Sequence, residues 1–487
     1  MAIDCPRIAF SALRGNSGKT LITVGLTAQL RKQGKVISPF KKGPDYIDAA
    51  WLGLAAARPC YNLDTFLMGK EGVLSSFFIH TDQTDCALIE GNRGLFDGSD
   101  VPGRCSTAQL AKLLRIPIVL IVDCSMATRT IAALVLGCQH FDPEIDLKGV
   151  ILNRIGGSRH ESVIRTAIHE SCGIPVLGAI PKIKGVTFPE RHMGLVPPSE
   201  HPGALKAVDE SAKIVEQYID VEGIWEVAVN AQSLSLLQPV SGLEKRELPF
   251  NESKRPRIGF IRDSAFWFYY PDNLQALEDL GAEMVQCSAL LQDELPPLDA
   301  LYIGGGFPET HAEALAKNVS FRRSLRRAVE DGLPVYAECG GFMYLGEKLI
   351  IEDKTFPMVG VFPLTFAQGK RPQAHGYSIL EVEHLNPYFE AGKILFGHEF
   401  HYSKILDSNE DTVAFALKVN RGYGIDGRRE GLCYKNVLAT YSHLHVSGTE
   451  VWALGLFDQA VQYRKRSDKK RETSSLHGKQ FPVALNF

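Results

Sequence analysis

One of the ten cysteines stands in a context that could make it a nucleophile. Cys339 follows a strand-like apolar run, Leu333–Ala337, and precedes Gly340 and Gly341. Glycines around a nucleophile allow a strained turn from strand to helix, which presents the side chain at the edge of a sheet. The N-terminus of the following helix is expected to lower the pKa of the thiol. The pattern predicts a reactive thiol at Cys339 and buried, inert thiols at the other nine positions.

Two further segments fit acyl transfer through a thioester. Gly304–Glu309 follows a strand-like run, and the backbone amides of Gly305 and Gly306 could form an oxyanion hole. Near the C-terminus, Thr440–His445 offers His443 as a general base for the thiol. Both segments lie in the same half of the chain as the cysteine, in an order that suits an α/β sheet. These residue types therefore predict cysteine-dependent acyl transfer.

A second candidate site lies near the N-terminus, where a glycine-rich loop follows a predicted strand and opens a helix. Its residues are Arg14, Gly15, Asn16, Ser17, Gly18, Lys19 and Thr20. The backbone amides of such a loop wrap phosphate oxygens, Lys19 would neutralise the β- and γ-phosphate charge, and Thr20 would offer its hydroxyl to Mg²⁺. Leu13 replaces the usual first Walker glycine, so the loop is similar to the variant K-G-G-x-G-K-[ST] pattern, with Arg14 and Asn16 substituted. The loop predicts nucleotide binding.

Carboxylates downstream of the loop could complete a magnesium site. Asp45 lies in Phe40–Asp48, which has the composition of a polar, turn-forming segment, and Glu90 opens the glycine-rich segment Glu90–Gly98. Mg²⁺ binds one or two carboxylates together with phosphate oxygens. Thr20, Asp45 and Glu90 are therefore the predicted protein ligands of the metal.

Short apolar runs alternate with helical patterns through the first half of the chain. These runs, predicted to be strands, are Arg7–Leu13, Cys86–Glu90, Ile116–Asp123, Leu147–Asn153 and Ile174–Ile180. Runs that are buried on both faces and separated by helices indicate a parallel sheet with helices on both sides, whose ligands sit at the carboxyl ends of the strands. Asn153 ends one of these strands, where its amide could read adenine or cap a turn.

The pattern breaks after about residue 236 and then resumes. A stretch rich in proline, glycine and charge, 239–256, is predicted to link an ATP-binding domain, 1–238, to a second α/β domain, 257–463. The strand-like runs of the second domain are Arg257–Ile261, Met284–Cys287, Ala300–Ile303 and Pro334–Ala337, followed by a strand-rich stretch over 356–439. The basic end of the chain, 464–487, is predicted to be a frayed, solvated tail.

Composition bounds the partners of the chain. Fifty-three Lys and Arg side chains against 56 Asp and Glu leave a net charge of −3, so no global field favours nucleic acid or an anionic membrane. The N-terminus lacks a secretory pattern, no long apolar window is present, and the cysteines show no metal-ligand spacing. We expect a cytoplasmic protein with neither nucleic-acid nor membrane partners. The sequence is compatible with a homodimer but does not fix the oligomeric state.

The two candidate sites together suggest a coupled reaction. If the thiol attacks an amide, it releases ammonia as the thioester forms. ATP would convert an acceptor carboxylate, which is a poor acyl donor, to an acyl phosphate that this ammonia displaces. Ammonia is mostly protonated at neutral pH, so release inside the protein would keep it nucleophilic. Two other classes fit parts of the pattern. One is a nucleotide switch of the partitioning-ATPase kind with a degenerate second domain, and the other is a glutaminase or hydrolase that ATP only regulates.

The thiol segments resemble those of class I glutamine amidotransferases, in which a cysteine attacks the glutamine side chain and a histidine activates it. That class usually ends in H-x-E, whereas this chain has His443-Leu444-His445. The resemblance implies that Cys339 and His443 are catalytic. It leaves the orienting carboxylate either missing or supplied from elsewhere, and it leaves a structural role for His445.

Nearly the whole chain resembles the cobyrinic acid a,c-diamide synthase family. The matching stretches are the phosphate loop, Lys42–Asp48, Asn62–Asp64, Glu90–Gly98, Pro189–His192, Phe268–Pro271, Gly304–Glu309, Tyr336–Gly341 and Gly397–Tyr402. The resemblance implies a dethiobiotin-synthetase-like domain fused to a class I glutamine amidotransferase domain. It also implies Mg-ATP, glutamine and amidation of the a- and c-acetate side chains of a corrin in cobalamin synthesis. By position, Asp45, Tyr46, Glu90 and Asp97 match active-site stretches of the family.

The resemblance leaves the acceptor ring open. The same family includes a nickel-sirohydrochlorin a,c-diamide synthase, which makes the equivalent amides on a less processed ring. A polycarboxylate tetrapyrrole requires cations and aromatic surface, so Tyr46, Arg93, Arg191 and His192 are the predicted ring contacts. Exposed arginine and histidine also commonly serve solvation alone.

Overall fold

The computed structural model describes residues 2–3, 5–183, 190–191, 194–235, 255–408 and 414–477. It divides into two compact units, Met1–Gly242 and Leu243–Phe487. Most of the predicted linker, 239–254, lies outside the described residues. Within the described ranges, no helix is both long enough and apolar enough to cross a membrane.

The N-terminal unit is built on a seven-stranded sheet in which every pair of neighbouring strands is parallel. Its strands are β2 (Arg7–Ala12), β3 (Ile37–Lys42), β4 (Tyr61–Leu63), β5 (Cys86–Glu90), β6 (Ile118–Asp123), β7 (Leu147–Ile155) and β8 (Val176–Pro181). They lie in the order β4-β3-β5-β2-β6-β7-β8. Two short antiparallel pairs lie outside this sheet: β1 (Ala2–Ile3) with β11 (Leu234–Ser235), and β9 (Glu190–Arg191) with β10 (Gly194–Leu195).

Helices connect the strands of this unit. They are α1 (Lys19–Lys32), α2 (Tyr46–Ala56), α3 (Gly69–Thr81), α4 (Thr107–Leu114), α5 (Thr130–Phe141), α6 (Ser158–Cys172), α7 (Ala204–Tyr218) and α8 (Val221–Val229). Strands β2 and β5 are buried along their whole length, as expected when both faces of a parallel sheet are covered. The chain completes one side of the sheet before β6 begins the other. The loop after β2 therefore lies at a topological switch point, where ligands bind such sheets.

The prediction of a turn-forming segment over Phe40–Asp48 is correct only for residues 43–45 and wrong on both sides of them. Phe40–Lys42 completes β3, and α2 begins at Tyr46. Two consecutive lysines give the end of this strand the composition of a loop, yet both are buried. Lys41 is held there by carboxylates, which compensate a charge that a buried strand ordinarily excludes.

The C-terminal unit contains a ten-stranded sheet that is parallel at one end and antiparallel at the other. In order across the sheet, its strands are β14 (Glu283–Cys287), β12 (Arg257–Ile261), β15 (Ala300–Ile303), β17 (Val335–Glu338), β26 (Val437–Thr440), β25 (Arg429–Tyr434), β24 (Ala414–Arg421), β21 (Ala374–Val382), β22 (Ile394–His401) and β27 (His443–Leu444). The strands from β14 to β26 are parallel, and the remainder pair antiparallel. Only two residues separate β26 from β27, so the antiparallel part curls back toward the carboxyl end of β26.

A smaller sheet and a set of helices complete the C-terminal unit. The sheet has the order β19 (Lys354–Pro357), β18 (Lys348–Ile351), β20 (Leu364–Gln368) and β23 (Ser403–Ser408), while β13 (Phe266–Phe268) pairs separately with β16 (Gly305–Gly306). The helices are α9 (Pro271–Asp279), α10 (Ala312–Lys317), α11 (Val319–Glu330), α12 (Gly340–Leu345) and α13 (Glu450–His477).

The predicted tail is helical rather than frayed over the part of it that the structure describes, although Lys465, Arg466, Asp468 and Lys469 are exposed as expected. Helix α13 continues to His477. Within the predicted tail, Arg464 donates a hydrogen bond to the carbonyl of Arg255 and forms an ion pair with Asp299 at 3.4 Å. These contacts hold the helix against its own unit, which a run of basic residues does not reveal. Residues 478–487 lie outside the described residues.

Candidate active site

The cysteine elbow forms at the carboxyl end of β17. Cys339 follows the strand directly and caps the N-terminus of α12. Its φ of 48° and ψ of −101° lie outside the regions that L-residues normally occupy, a strain of about 1–3 kcal/mol that functional turns commonly carry. A Cβ on Gly340 would lie 3.1 Å from the Gly306 nitrogen, and a Cβ on Gly341 would lie 2.5 Å from the Ile303 oxygen. The turn therefore excludes a side chain at Gly341 and leaves little room for one at Gly340.

The thiol of this elbow rests in its protonated form. Burial raises the pKa of Cys339, and the carboxylate of Glu309 raises it further, while the amide of Gly340 acts in the opposite direction. The amide at the helix N-terminus lowers this pKa as expected, but the loss of solvation around the buried thiol outweighs that one hydrogen bond, so the net shift is upward. A base must therefore take the proton when the thiol reacts.

Gly305 and Gly306 bring a strip of backbone against the elbow. They form β16, which pairs with β13. A Cβ on Gly305 would lie 2.5 Å from Cε1 of His443, and a Cβ on Gly306 would lie 2.1 Å from the carbonyl oxygen of Ala265. A larger residue would displace the His443 ring at the first position and the backbone at the second. The predicted oxyanion strip and the predicted base are thus direct neighbours.

The buried imidazole of His443 has a carboxylate beside it that sequence reasoning missed. Nδ1 of the ring lies 3.3 Å from Oε2 of Glu338. Glu338 is fully buried, and it accepts hydrogen bonds from the Tyr302 hydroxyl at 2.9 Å and from the Leu444 amide at 3.2 Å. The sequence feature that could have identified Glu338 is its position at the end of a buried strand, immediately before the nucleophile.

The loop between β2 and α1 has the shape of a phosphate cradle. Gly18 caps α1 with a φ of 90°. Lys19 turns back over the loop, with Nζ 3.4 Å from the carbonyl oxygen of Arg14 and 2.8 Å from that of Arg93. Burial and the nearby charge of Lys41 lower the pKa of Lys19. An ammonium that backbone carbonyls hold across a helix N-terminus is well placed to receive a phosphate.

Beside the loop, carboxylates surround a buried lysine that sequence reasoning also missed. Nζ of Lys41 lies 2.7 Å from Asp48 and 2.7 Å from Glu90. Asp45 lies 3.7 Å from the same atom. Burial acts to lower the pKa of Lys41, but these carboxylates raise it well above its ordinary value. Burial and the charge of Asp48 raise the pKa of Asp45 to about 7. One lysine thus offsets one of three acidic groups.

Thr20 connects this acidic cluster to the loop. Its hydroxyl donates a hydrogen bond to Oε1 of Glu90 at 3.0 Å, so two of the predicted magnesium ligands touch each other. Across the described ranges, no group of three or more His, Cys, Asp or Glu side chains has the arrangement of a metal site. The cluster alone therefore lacks a full set of ligands. Mg²⁺ commonly uses one or two carboxylates and completes its shell with phosphate oxygens and water.

Known proteins match both units of the chain. Residues 8–196 match the CobQ/CobB/MinD/ParA nucleotide binding domain, and residues 257–451 match the CobB/CobQ-like glutamine amidotransferase domain. The cobyrinate a,c-diamide synthase of Magnetococcus marinus is 44% identical over 453 residues, which cover 93% of this chain and 97% of that protein. Those of Archaeoglobus fulgidus and Methanosarcina acetivorans are 42% and 39% identical, with 91% and 94% of this chain and 95% and 96% of the relatives covered. This chain belongs to the cobyrinate a,c-diamide synthase family.

Membership of the cobyrinate a,c-diamide synthase family decides between the classes that the sequence left open. It confirms the predicted α/β fold with a nucleotide-binding domain and a glutamine amidotransferase domain. It also confirms an ATP-dependent, glutamine-hydrolysing ligase. The partitioning-type switch and the ATP-regulated hydrolase are not favoured, because the synthases match this chain over both halves.

The remaining nucleotide candidates of this family member surround the loop. Nδ2 of Asn153 donates a hydrogen bond to the Ser17 carbonyl at 2.8 Å, and β7 continues past this residue to Ile155. Arg14 is 73% exposed and forms an ion pair with Asp123 at 3.3 Å. The exposed crest of the loop consists of Arg14, Gly15 and Asn16. Asn153 therefore supports the loop whether or not its amide also reads a base.

Two predicted catalytic acids act on the local backbone. Oδ1 of Asp45 accepts a hydrogen bond from the Asp48 amide at 3.0 Å, which caps α2 and makes Tyr46 its first residue. Oδ2 of Asp97 accepts a hydrogen bond from the Gly94 amide at 2.8 Å and closes a tight turn. Tyr46 is buried, whereas Asp97 is exposed. The structure brings Asp45 to the acidic cluster, whereas the carboxylate of Asp97 closes its own turn and acts on the charge of Lys19.

The predicted ring contacts are described only in part. Arg93 is exposed, with a φ of 49°, and its carbonyl accepts the hydrogen bond from Lys19. Arg191 lies in β9, but its side chain is outside what the structure describes. His192 lies outside the described residues altogether. The contact between Arg93 and Lys19 places the backbone of Arg93 directly at the phosphate loop.

Proposed function

We propose that this chain uses ATP and glutamine to amidate the a- and c-acetate carboxylates of cobyrinic acid in cobalamin synthesis. The observation that carries the proposal is the presence of two complementary sites in one chain. One is a phosphate loop beside an acidic cluster, and the other is a cysteine elbow beside His443. The first suits activation of a carboxylate by ATP, and the second suits release of ammonia from an amide. Relatives that carry the name of this activity over both halves of the chain support the choice of acceptor.

The proposed glutaminase reaction belongs to the C-terminal unit. Sγ of Cys339 attacks the side-chain carbonyl carbon of glutamine while His443 takes the thiol proton. A C–S bond forms, and the C–N bond breaks as His443 passes the proton to the departing ammonia. Water then hydrolyses the thioester to glutamate and restores the thiol. The backbone amides of Gly305 and Gly306 are the proposed donors to the oxyanion of each tetrahedral intermediate.

The proposed activation belongs to the N-terminal unit. An acetate oxygen of the acceptor attacks the γ-phosphorus of ATP, which releases ADP and leaves an acyl phosphate. Ammonia then attacks the acyl carbon and phosphate departs, so each amide consumes one ATP and one glutamine. Residues 14–20 hold the phosphates, and Lys19 neutralises their charge. Asn153 keeps one amide hydrogen beyond its bond to Ser17 and could read the adenine edge with it.

Thr20, Asp45 and Glu90 are the residues that would hold Mg²⁺ beside these phosphates. The fit rests on donor chemistry, since all three offer oxygen and Lys41 offsets only one acid of the cluster. When bound there, Mg²⁺ would neutralise the charge that develops on the transferred phosphoryl group. Asp45 and Tyr46 would orient the acceptor carboxylate at the start of α2. Asp97 would fix the turn beside the loop.

Cationic side chains and an aromatic ring would select the acceptor. Tyr46, Arg93, Arg191 and His192 are the proposed contacts, because a tetrapyrrole with several carboxylates presents both a broad apolar face and fixed negative charge. Arg93 is the best supported of the four, since its carbonyl accepts a hydrogen bond from Lys19. An acid held by its guanidinium would lie close to the γ-phosphate.

One assay tests the proposed function. The chain is supplied with Mg-ATP and glutamine together with either cobyrinic acid or nickel-sirohydrochlorin, and the products are followed by mass spectrometry. We expect two amides on cobyrinic acid, with ADP and glutamate formed in step with them. Faster amidation of nickel-sirohydrochlorin would overturn the choice of ring. Glutamate release and ATP cleavage without an amidated product would overturn the ligase itself.

A further inference from the structure

The proposed glutaminase reaction requires an acceptor for the second ring nitrogen of His443, and the sequence around His443 does not supply one. A histidine that acts as a general base through one ring nitrogen needs the other nitrogen held by an acceptor, because this fixes the tautomer and stabilises the imidazolium. Two positions after His443, where a carboxylate could serve, the chain has His445. The partner of His443 must therefore come from another part of the fold.

The geometry of His445 excludes it from that role in this structure. Its Nδ1 accepts a hydrogen bond from the Ser447 amide at 3.2 Å and so caps the turn that follows. Its Nε2 lies 3.5 Å from the carboxylate of Asp272 at the start of α9. Both ring nitrogens are thus directed toward local structure and α9, and the ring serves packing beside Tyr270 at a centroid distance of 4.7 Å.

Glu338 meets the requirement from the strand that carries the nucleophile. Its Oε2 is 3.3 Å from Nδ1 of His443 and also accepts from the Tyr302 hydroxyl, while Oε1 accepts from the Leu444 amide. Strand pairing sets this position, because Glu338 lies opposite Thr440 in the parallel ladder of β17 and β26. The hydroxyl and the amide fix the carboxylate, and the carboxylate in turn fixes the ring.

A second histidine packs on the same ring but cannot replace this carboxylate. His398 is stacked on His443 at a centroid distance of 4.9 Å and an angle of 22°. Burial and the neighbouring charge of His443 lower the pKa of His398 well below its ordinary value. His398 therefore stays neutral beside the base. The carboxylate of Glu338, by contrast, lies 3.3 Å from Nδ1 of His443 and can stabilise the protonated ring.

We propose that Glu338 is the positioning carboxylate of the glutaminase reaction, holding His443 with Nδ1 protonated so that Nε2 serves the Cys339 thiol. This inference rests on the proposed function and deepens it. Glu338 touches neither glutamine nor the thioester, so it acts only through His443. The nucleophile and the group that orients its base are then consecutive residues, joined by the strained turn at Cys339.

The first experiment compares three variants in glutamine hydrolysis. Glu338→Gln places an amide against Nδ1 and favours the wrong tautomer, so we expect kcat to fall by roughly 10²- to 10⁴-fold with little change in KM for glutamine. Glu338→Asp keeps the carboxylate on a shorter side chain, so its kcat should lie between those of the wild type and Glu338→Gln. The matched control, His445→Asn, should stay within about threefold of the wild type. A kcat for Glu338→Gln within threefold of the wild type would overturn the proposal.

A second measurement does not depend on turnover. A chloroketone analogue of glutamine alkylates Cys339, and peptide mass spectrometry gives the rate in the wild type, Glu338→Gln, His443→Ala and the double variant. We expect Glu338→Gln to slow alkylation only when His443 is present, because residues that act as a unit are not additive. The same slowing in both backgrounds would mean a merely structural role. If neither the wild type nor any variant amidates the acceptor, even with ammonia, the proposed function fails. The alkylation rates still test the role of Glu338 in that case.

Discussion

Two buried charges organise the proposed sites at the scale of single residues. Lys41 lies among the acids of the phosphate site, and Glu338 lies beside the imidazole of the thiol site. Local sequence does not show the contacts that Lys41 makes with Glu90 and Glu338 makes with His443, because these partners are 49 and 105 positions away along the chain. Cys339, by contrast, could be predicted from short motifs, since the turn that presents its thiol is built from its immediate neighbours.

The hydroxyl of Thr20 provides a test of the proposed phosphate site. It touches Glu90, follows Lys19 directly and is a proposed ligand of Mg²⁺. In Thr20→Val we expect the apparent affinity for Mg-ATP to fall by roughly 10- to 150-fold, which corresponds to the loss of about 1.5–3 kcal/mol for a bond to a charged group. Steady-state ADP release at varied Mg-ATP measures this change.

Thr27→Val is the matched control for that variant. Thr27 lies two turns further along α1, and its buried hydroxyl donates to the Thr23 carbonyl at 2.7 Å. It should leave the KM for Mg-ATP within about threefold of the wild type, because the hydroxyl bonds only to helix backbone. Equal effects of the two substitutions would remove the argument for Thr20 as a ligand.

At the scale of helices and strands, buried apolar runs predicted the parallel strands well. Cys86–Glu90, Arg257–Ile261 and Ala300–Ile303 match the observed strands to the residue. The predictions failed where charge is buried or packed, at β3 and at α13. The curl that brings β27 beside β22 depends on strand pairings between distant segments. Such pairings leave no local pattern, so the neighbours of His443 could not be predicted.

Glu430 ties two of these strands together and gives the fold a pH dependence. Its Oε1 accepts hydrogen bonds from the Gly431 and Tyr441 amides, both at 3.0 Å, which joins β25 to the residue after β26. Burial raises the pKa of Glu430 to about 8, although these amides act to lower it. The folded state therefore keeps a proton that the unfolded state loses. The stability linked to this proton is complete below about pH 4 and is lost as the pH rises to about 8.

Glu430→Gln, which stays neutral at every pH, tests this dependence. Relative to the variant, the wild type should lose up to about 1.4 kcal/mol of unfolding free energy per pH unit between about pH 5 and pH 8. Urea unfolding at a series of pH values measures the difference. Glu383→Gln, at a carboxylate that is 43% exposed, is the control. Its unfolding free energy should vary with pH in parallel with that of the wild type. Parallel curves for Glu430→Gln would show that Glu430 is ionised in the folded state.

At the scale of the whole molecule, two units carry chemically different halves of one reaction. The phosphate loop and acidic cluster belong to Met1–Gly242, and the thiol, its base and Glu338 belong to Leu243–Phe487. Because each unit has its own set of sequence motifs, the two-domain architecture and the family could be predicted from the sequence. If this division is right, ammonia from solution should replace glutamine without any help from the thiol.

The most direct test of this account is amide formation by Cys339→Ser, measured by mass spectrometry with cobyrinic acid and Mg-ATP. With glutamine as the nitrogen source, we expect the rate to fall by at least about 100-fold, because a nucleophile of a catalytic unit has been removed. With a high concentration of ammonium salt, the rate should stay within about threefold of the wild type under the same conditions. Amidation from glutamine at the wild-type rate, or failure of ammonium to support a reaction that it supports in the wild type, would contradict the account.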